Sequence, residues 1–206
     1  MKLLYILFII LFTTTVSSCQ NKTQNTTQKA IVKEKPECEA LYNKYLENFS
    51  LQKKDSALYY IDKCIKCDTS QQDNKYIKVQ LLISMKDYKN AILGLEELRS
   101  DIDDPTFKMQ KGILMLKIND ANSKKILEEC YSEFNKMKEP TSSNLFYKIA
   151  LDNYFKGKDY SLNQVKEFKQ TYKDKPYENQ NIEALQELIN KETKEIVLFK
   201  LFNIND

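Results

Sequence analysis

The most informative part of this chain is Met85-Lys86-Asp87-Tyr88-Lys89-Asn90-Ala91-Ile92. Apolar residues recur every three or four positions on both sides of it, which is the spacing of amphipathic helices. The apolar pattern stops only briefly at Lys86-Asp87, so we predict a tight turn there. Two helices joined by that turn follow from the pattern. The first carries Tyr76, Val79, Leu82 and Ile83, and the second carries Tyr88, Ala91, Ile92, Leu95 and Leu98.

The same arrangement recurs along the chain at intervals close to 35 residues. Ala57 precedes Ala91 by 34 positions, and Lys158-Asp159-Tyr160 follows the corresponding residues 86–88 by 72 positions, or two periods of 36. Proline suits the first turn of a helix and cannot continue one. The prolines are Pro36, Pro105, Pro140 and Pro176. They are separated by 69, 35 and 36 residues, so the first interval is about twice each of the other two. Such regular spacing of helix pairs indicates a repeat array.

We expect four helix pairs followed by one long helix. The long helix spans roughly residues 179–203, where Ile182, Leu185, Ile196 and Phe199 belong to one apolar pattern. Within the four pairs, the predicted turns are at Lys53-Lys54-Asp55, Lys86-Asp87, Asn119-Asp120 and Gly157-Lys158-Asp159.

The turn at residues 85–92 and the small residue Ala91 near the start of the second helix resemble the tetratricopeptide repeat (TPR) family. The resemblance covers residues 37 to about 175, without the tryptophan of that family's first helix. It implies an all-α fold, a right-handed TPR-like helical-repeat solenoid of about four helix pairs with a C-terminal capping helix. A plain helical bundle is the alternative.

The resemblance also implies a binding surface, because the first helix of each repeat lines a concave groove in that family. The register of the second repeat places Tyr76, Gln80 and Ile83 on this groove, and Tyr42 takes the place of Tyr76 one repeat earlier. Tyrosine is a common anchor at protein interfaces. These four residues are the candidate partner-binding groove, for a protein or peptide partner.

The first eighteen residues have the pattern of a secretory signal. Lys2 gives one positive charge, residues 3–12 are apolar, and small polar residues follow. The apolar run is too short for a bilayer, which needs about 20 residues. The ending Val16-Ser17-Ser18-Cys19 resembles the lipobox of bacterial lipoproteins, which implies that Cys19 is lipidated and becomes the first mature residue. An ordinary cleaved signal with a chance cysteine is the alternative.

The chain therefore divides into three predicted parts. Residues 1–18 are the lipoprotein signal peptide, residues 19–35 are the lipidated cysteine and a polar, disordered tether, and residues 36–206 are the TPR-like α-helical domain. Residue 20 is glutamine, whereas an aspartate there often retains bacterial lipoproteins at the inner membrane. By that resemblance we expect a lipid-anchored protein of the bacterial cell envelope, at the outer membrane.

The sequence Cys64-Ile65-Lys66-Cys67 has the spacing of a redox or zinc motif. It lies at the end of a predicted helix, however, where the helix dipole disfavours a thiolate. Zinc would need two further ligands, and the chain has no histidine. Cys38 opens the first helix and Cys67 closes the second, so an antiparallel pair brings them together. We predict a Cys38–Cys67 disulfide, with Cys64 as the alternative partner of Cys38, because the envelope can be oxidising.

The composition argues against several classes of function. Histidine, the commonest general acid or base, is absent, and three glycines cannot supply a glycine-rich phosphate loop. Arg99 is the one arginine, and the mature chain carries 31 basic residues against 29 acidic ones, a net charge of +2. Nucleic-acid binding needs a strong basic excess or patch. We predict no nucleic acid partner, no metal and no cofactor.

Together these features predict a non-enzymatic, membrane-anchored lipoprotein that acts as a protein–protein interaction scaffold in the envelope. A thiol-redox or other enzymatic lipoprotein using Cys64 and Cys67 is the main alternative. An assembly factor for outer-membrane β-barrels and a surface glycan-capture module are two more. Neither the partner nor the oligomeric state follows from the sequence.

Overall fold

The computed structural model describes residues 36–99 and 104–204, and these residues form helices without strands. The helices are α1 Pro36–Ser50, α2 Lys54–Cys67, α3 Gln72–Ser84, α4 Tyr88–Arg99, α5 Pro105–Lys117, α6 Ser123–Lys136, α7 Ser142–Lys156, α8 Lys158–Thr171, α9 Pro176–Lys191 and α10 Lys194–Leu201.

The first eight helices pack as four consecutive pairs. Helix α1 packs on α2, α3 on α4, α5 on α6 and α7 on α8, and each pair also contacts the next one. The four predicted turns fall at the junctions within these pairs, although Lys54-Asp55 and Lys158-Asp159 already belong to the second helices, so the predicted pairing is confirmed. The fold is an all-α array of consecutive helix pairs.

Proline and capping residues explain where the helices begin. Proline is the first residue of α1, α5 and α9, where its missing N–H costs no hydrogen bond. Helix α7 begins just after Pro140, and Thr141 caps it: the Thr141 hydroxyl accepts a hydrogen bond from Asn144 N at 3.2 Å, while Thr141 N donates to Asn144 Oδ1 at 2.9 Å. This reciprocal pair is a capping box.

The turn inside each pair contains one residue with left-handed backbone conformation. The φ angles are 59° at Gln52, 62° at Lys86, 57° at Asn119 and 92° at Gly157. In the second pair, Asp87 N donates to Leu82 O at 2.9 Å, five residues back. Bonds with the same spacing close the other three turns, which is the usual way to satisfy the last carbonyls of a helix. The period in the sequence therefore corresponds to a turn, closed by the same kind of hydrogen bond, that recurs in each helix pair.

The pairs share a continuous hydrophobic core that runs from the second pair to the C-terminus. Ala91, Leu95 and Ile113 in this core are fully or almost fully enclosed. A smaller cluster around Tyr45, Ile61 and Leu81 joins the first pair to the second. Each pair thus buries its apolar stripes against its own partner helix and against the adjacent pair, as a repeat array must.

The prediction of one helix over residues 179–203 is wrong, because the chain bends between α9 and α10. Glu192 has extended backbone, with φ −116° and ψ 160°, and the Thr193 hydroxyl then caps α10 by accepting from Ile196 N at 3.4 Å. Helix α9 packs on α8 and caps the last pair as predicted, whereas α10 turns back and contacts α5 and α7. The C-terminal segment therefore has two roles: α9 covers the end of the array, and α10 packs on α5 and α7.

The predicted signal peptide and the tether with Cys19 lie outside the described residues. Among residues 36–99 and 104–204, none of the helices combines the length and the apolar character that crossing a bilayer requires.

Candidate functional site

The candidate groove residues lie on α1 and α3, the first helices of the first two pairs, and we call the surface built by α1, α3, α5 and α7 the first-helix face. Tyr42 belongs to α1, and Tyr76, Gln80 and Ile83 belong to α3. Tyr42, Tyr76 and Gln80 are partly exposed, whereas Ile83 is 4% exposed and belongs to the core. Their role in partner binding stays a prediction.

Tyr76 connects the first helices of the second and third pairs. Its ring packs edge-on against Phe107 of α5, with the centroids 5.5 Å apart. Burial raises the pKa of the Tyr76 hydroxyl, and nearby Tyr147 of α7 and Asp104 raise that pKa further. Tyr76 is therefore a packing residue that joins successive pairs, with only part of its surface accessible to a partner.

Gln80 lies one turn beyond Tyr76 on the same helix. Its side-chain nitrogen Nε2 is enclosed and has no hydrogen-bond partner among the described residues. A buried donor left without an acceptor costs about 1–3 kcal/mol. Gln80 is thus an enclosed polar side chain between the more apolar positions of α3.

Tyr42 stands beside a cavity at the start of α1. Its ring lies 5.6 Å from that of Tyr45. The cavity has a volume of about 260 Å³, and Asp73 and Ile77 of α3 also line it. Burial raises the pKa of the Tyr42 hydroxyl, and the carboxylate of Asp73 adds to that rise. The first two pairs therefore present an aromatic ring beside carboxylates.

Two residues that the site prediction omitted are the most accessible apolar side chains on this face. Leu46 is 44% exposed and Phe49 is 45% exposed. They follow Tyr42 by four and seven positions, so the three form one helical stripe. Leu46 precedes Gln80 by 34 residues, and Phe49 precedes Ile83 by 34. The repeat period could have identified them, because it relates both residues to the predicted groove.

The other half of the first-helix face is covered by the chain's own C-terminal segment. Phe202 stacks on Tyr147 of α7, with centroids 5.6 Å apart and ring planes 10° apart. Phe199 of α10 lies under Lys117 of α5, whose Nζ is 4.9 Å from the ring centroid. The accessible part of the face is therefore the part formed by α1 and α3.

The cysteines of the first pair form the predicted disulfide. Cys38 is bonded to Cys67, with Cα atoms 5.7 Å apart. Cys64 is 1% exposed, and burial raises the pKa of its thiol. A reactive thiol needs the opposite, an accessible sulfur with a lowered pKa. The arrangement favours a structural bond over a redox centre.

The residues of this face suit apolar and aromatic contacts more than chemistry. No group of three or more histidine, cysteine, aspartate or glutamate residues within the described ranges could hold a metal ion. An exposed stripe with aromatic residues is the usual composition of a docking surface for another chain.

Comparison with known proteins gives a likeness among solved structures and no match at the level of sequence families. No family model matches the sequence, and none of the curated proteins does. Among solved structures, the chain is similar to YrrB, described as "a TPR protein with an unusual peptide-binding site". The sequence identity is 18%, the match covers 80% of this chain and 84% of that one, and the TM-score is 0.42.

Proposed function

We propose that this chain is a non-enzymatic interaction scaffold, held to a bacterial envelope membrane by a lipid on Cys19, that binds another protein or peptide through its first-helix face. The observation that carries this proposal is the stripe of Tyr42, Leu46 and Phe49 on α1, because two of its large apolar side chains remain about half exposed. Exposed apolar patches on folded proteins commonly mark interaction sites.

The fold suits this role. A helical-repeat array builds an extended surface from equivalent positions of successive pairs, and here the equivalent positions of α1 and α3 carry Tyr42 and Tyr76.

The proposed interaction is tested by site-specific photocrosslinking in the native membrane. A photoreactive amino acid replaces Leu46 in one strain and Leu93 in another. Leu93 is the matched control, because it is 55% exposed but lies on α4, the second helix of its pair. We expect a defined adduct, identified by mass spectrometry, from the Leu46 position alone. Equal adducts from both positions, or none from either, would overturn the proposed surface.

The proposed anchor rests on the signal ending Val16-Ser17-Ser18-Cys19. The proposed location at the outer membrane rests on the glutamine at position 20. Burial of acyl chains is worth about 0.8 kcal/mol per CH₂, so a multi-chain lipid holds a protein stably where one chain does not. Cys19→Ala should release the protein from the membrane fraction or block its processing, whereas Cys130→Ala should do neither. Normal processing and full membrane association of the Cys19 variant would contradict the anchor.

A further inference from the structure

The C-terminal segment binds the array as a ligand would. Helix α10 contacts α5 and α7, which are the first helices of the third and fourth pairs. It reaches them only because the chain bends at Glu192–Thr193 after the capping helix α9. The segment therefore shows, within one chain, what the first-helix face accepts.

The accepted chemistry is an apolar helix with aromatic anchors. Val197 and Leu198 are completely enclosed, and Phe202 and Ile204 are almost so. Lysines lie over aromatic rings in both directions between α10 and the array. Lys117 Nζ of α5 is 4.9 Å from the ring centroid of Phe199, and Lys194 Nζ of α10 is 5.0 Å from the ring centroid of Tyr154 on α7. Such contacts between a cation and a ring face add to the apolar burial.

The two halves of the first-helix face differ in what covers them. In the third pair, where α10 packs, Met109 and Ile113 of α5 have no exposed surface. In the first pair, Leu46 and Phe49 of α1 remain 44% and 45% exposed. An apolar stripe is thus present in both halves and left open in one.

We propose that a partner helix with the chemistry of α10 docks on the stripe of Tyr42, Leu46 and Phe49, continuing along the first-helix face that α10 already occupies. The partner presents aliphatic and aromatic side chains at helical spacing, three or four residues apart. This inference deepens the proposed function and rests on it, since it names the class of partner for the same surface.

The charges beside the stripe indicate the partner's polar end. The cavity next to Tyr42 is also lined by Glu39, Asp68 and Asp73. A lysine or arginine at one end of the partner helix would face these carboxylates and the aromatic ring. Helix α10 likewise begins with a basic residue beside an aromatic ring, because Lys194 lies over Tyr154.

The test uses the whole folded domain and a synthetic probe. The probe is a fluorescently labelled peptide with the sequence of residues 192–204 of this chain, and the control peptide carries aspartate at the positions of Leu198 and Phe199. Binding is measured by fluorescence anisotropy for the unchanged protein and for Leu46→Asp, Phe49→Asp and Leu93→Asp. Circular dichroism establishes that each variant is folded. Leu46→Asp keeps the test decisive if Phe49→Asp disturbs the ring contact with Tyr45.

We expect saturable binding of the probe, at least ten-fold weaker binding in the Leu46 or Phe49 variant, and unchanged binding in the Leu93 variant. Absence of binding, or equal binding of the control peptide, would overturn the inference. The inference would also be overturned if Leu46→Asp left probe binding unchanged and Phe202→Asp increased it. The probe would then be replacing the chain's own C-terminal segment on α5 and α7. If the Leu46 photocrosslink captures a partner but the probe does not bind, the helix proposal fails and the scaffold proposal stands.

Discussion

Gly112 of α5 lies directly against Leu127 of α6, so closely that a Cβ atom on Gly112 would be 2.8 Å from Leu127 Cδ2 and 2.9 Å from Cγ. Real Cβ atoms essentially never approach other heavy atoms this closely. The missing side chain of Gly112 leaves the space that the Leu127 side chain fills between the two helices of the third pair, and both residues belong to the buried part of the array.

Gly112→Ala should therefore destabilise the fold. Overpacking costs about 1–3 kcal/mol, and the better helix propensity of alanine returns only about 0.5–1 kcal/mol. Chemical denaturation of Gly112→Ala, Leu127→Ala and the double variant measures the coupling. The double variant should lose less stability than the two single losses added together. Simple additivity would mean that the Gly112–Leu127 contact does not limit the packing.

The disulfide between Cys38 and Cys67 should contribute a large share of the stability. It closes a loop with a sequence separation of 29, and the chain-entropy model assigns such a loop about 3–4 kcal/mol. Urea denaturation with and without a reductant should show this loss for the unchanged protein. The control is the double variant Cys38→Ser/Cys67→Ser, whose stability should not respond to the reductant. The prediction would be refuted if the reductant left the free energy of unfolding of the unchanged protein the same.

Asp152 of α7 is a buried carboxylate whose partners come from two helices. It is completely enclosed, accepts a hydrogen bond from the Tyr131 hydroxyl of α6, and lies 2.9 Å from Lys148 Nζ. Asp152→Ala should cost about 1–3 kcal/mol, because it leaves the half-buried Tyr131 hydroxyl without its acceptor. Exposed Asp159→Ala should cost no more than about 1 kcal/mol. Similar losses for both variants in thermal unfolding would show that the buried network adds nothing.

The left-handed turn residues offer a prediction in the stabilising direction. Lys86 has φ 62°, a conformation that is unfavourable for residues with a Cβ and easy for glycine. Lys86→Gly should raise the free energy of unfolding by roughly 0.5–1 kcal/mol. Glu129→Gly, within α6, should instead lower it by about 1 kcal/mol. A loss of stability in Lys86→Gly would show that its side chain has a role that outweighs the backbone.

The buried tyrosines should make the fold sensitive to alkali. Burial is the largest cause that raises the pKa of each of these hydroxyls above its ordinary value near 10, and the residues are Tyr42, Tyr45, Tyr76, Tyr131, Tyr147 and Tyr154. The folded state therefore favours the protonated form, whose stabilisation is complete below the unfolded-state pKa and is lost as pH rises through the folded-state values.

Unfolding free energies measured from pH 8 to 11 should accordingly fall above about pH 10. Tyr147→Phe should make that fall less steep, because it removes one buried hydroxyl, whereas Tyr177→Phe, at an exposed position, is the control. An identical pH dependence for both variants and the unchanged protein would contradict the assignment.

The sequence predicts the helix pairs well because the signals that define them are local. Each pair has its own apolar spacing, and each turn is closed by hydrogen bonds within five or six residues, as between Asp87 and Leu82. The disulfide is predictable for a related reason. Antiparallel packing alone brings the start of α1 to the end of α2, where Cys38 and Cys67 lie.

The path of α10 is not predictable from local signals. Glu192 and Thr193 break the helix without proline or glycine, and the apolar spacing continues across them at Ile189 and Ile196. What decides the bend is tertiary packing of Phe199 and Phe202 on first helices that are distant in sequence. The burial of an apolar stripe also depends on which helix packs over it, and that helix can be distant in sequence. The site prediction therefore included Ile83, which is buried, and omitted Leu46, which is exposed.

The bond between Cys38 and Cys67 also determines how the domain responds to mechanical load. A force pulling on the chain ahead of α1 passes from Cys38 through the covalent bond to Cys67, and the residues between them cannot be extended. Extension under such a force must then come from the residues that follow Cys67. If the chain is tethered through Cys19, the pair of helices nearest the anchor keeps its length under tension, and the open stripe on α1 stays assembled while the domain is pulled.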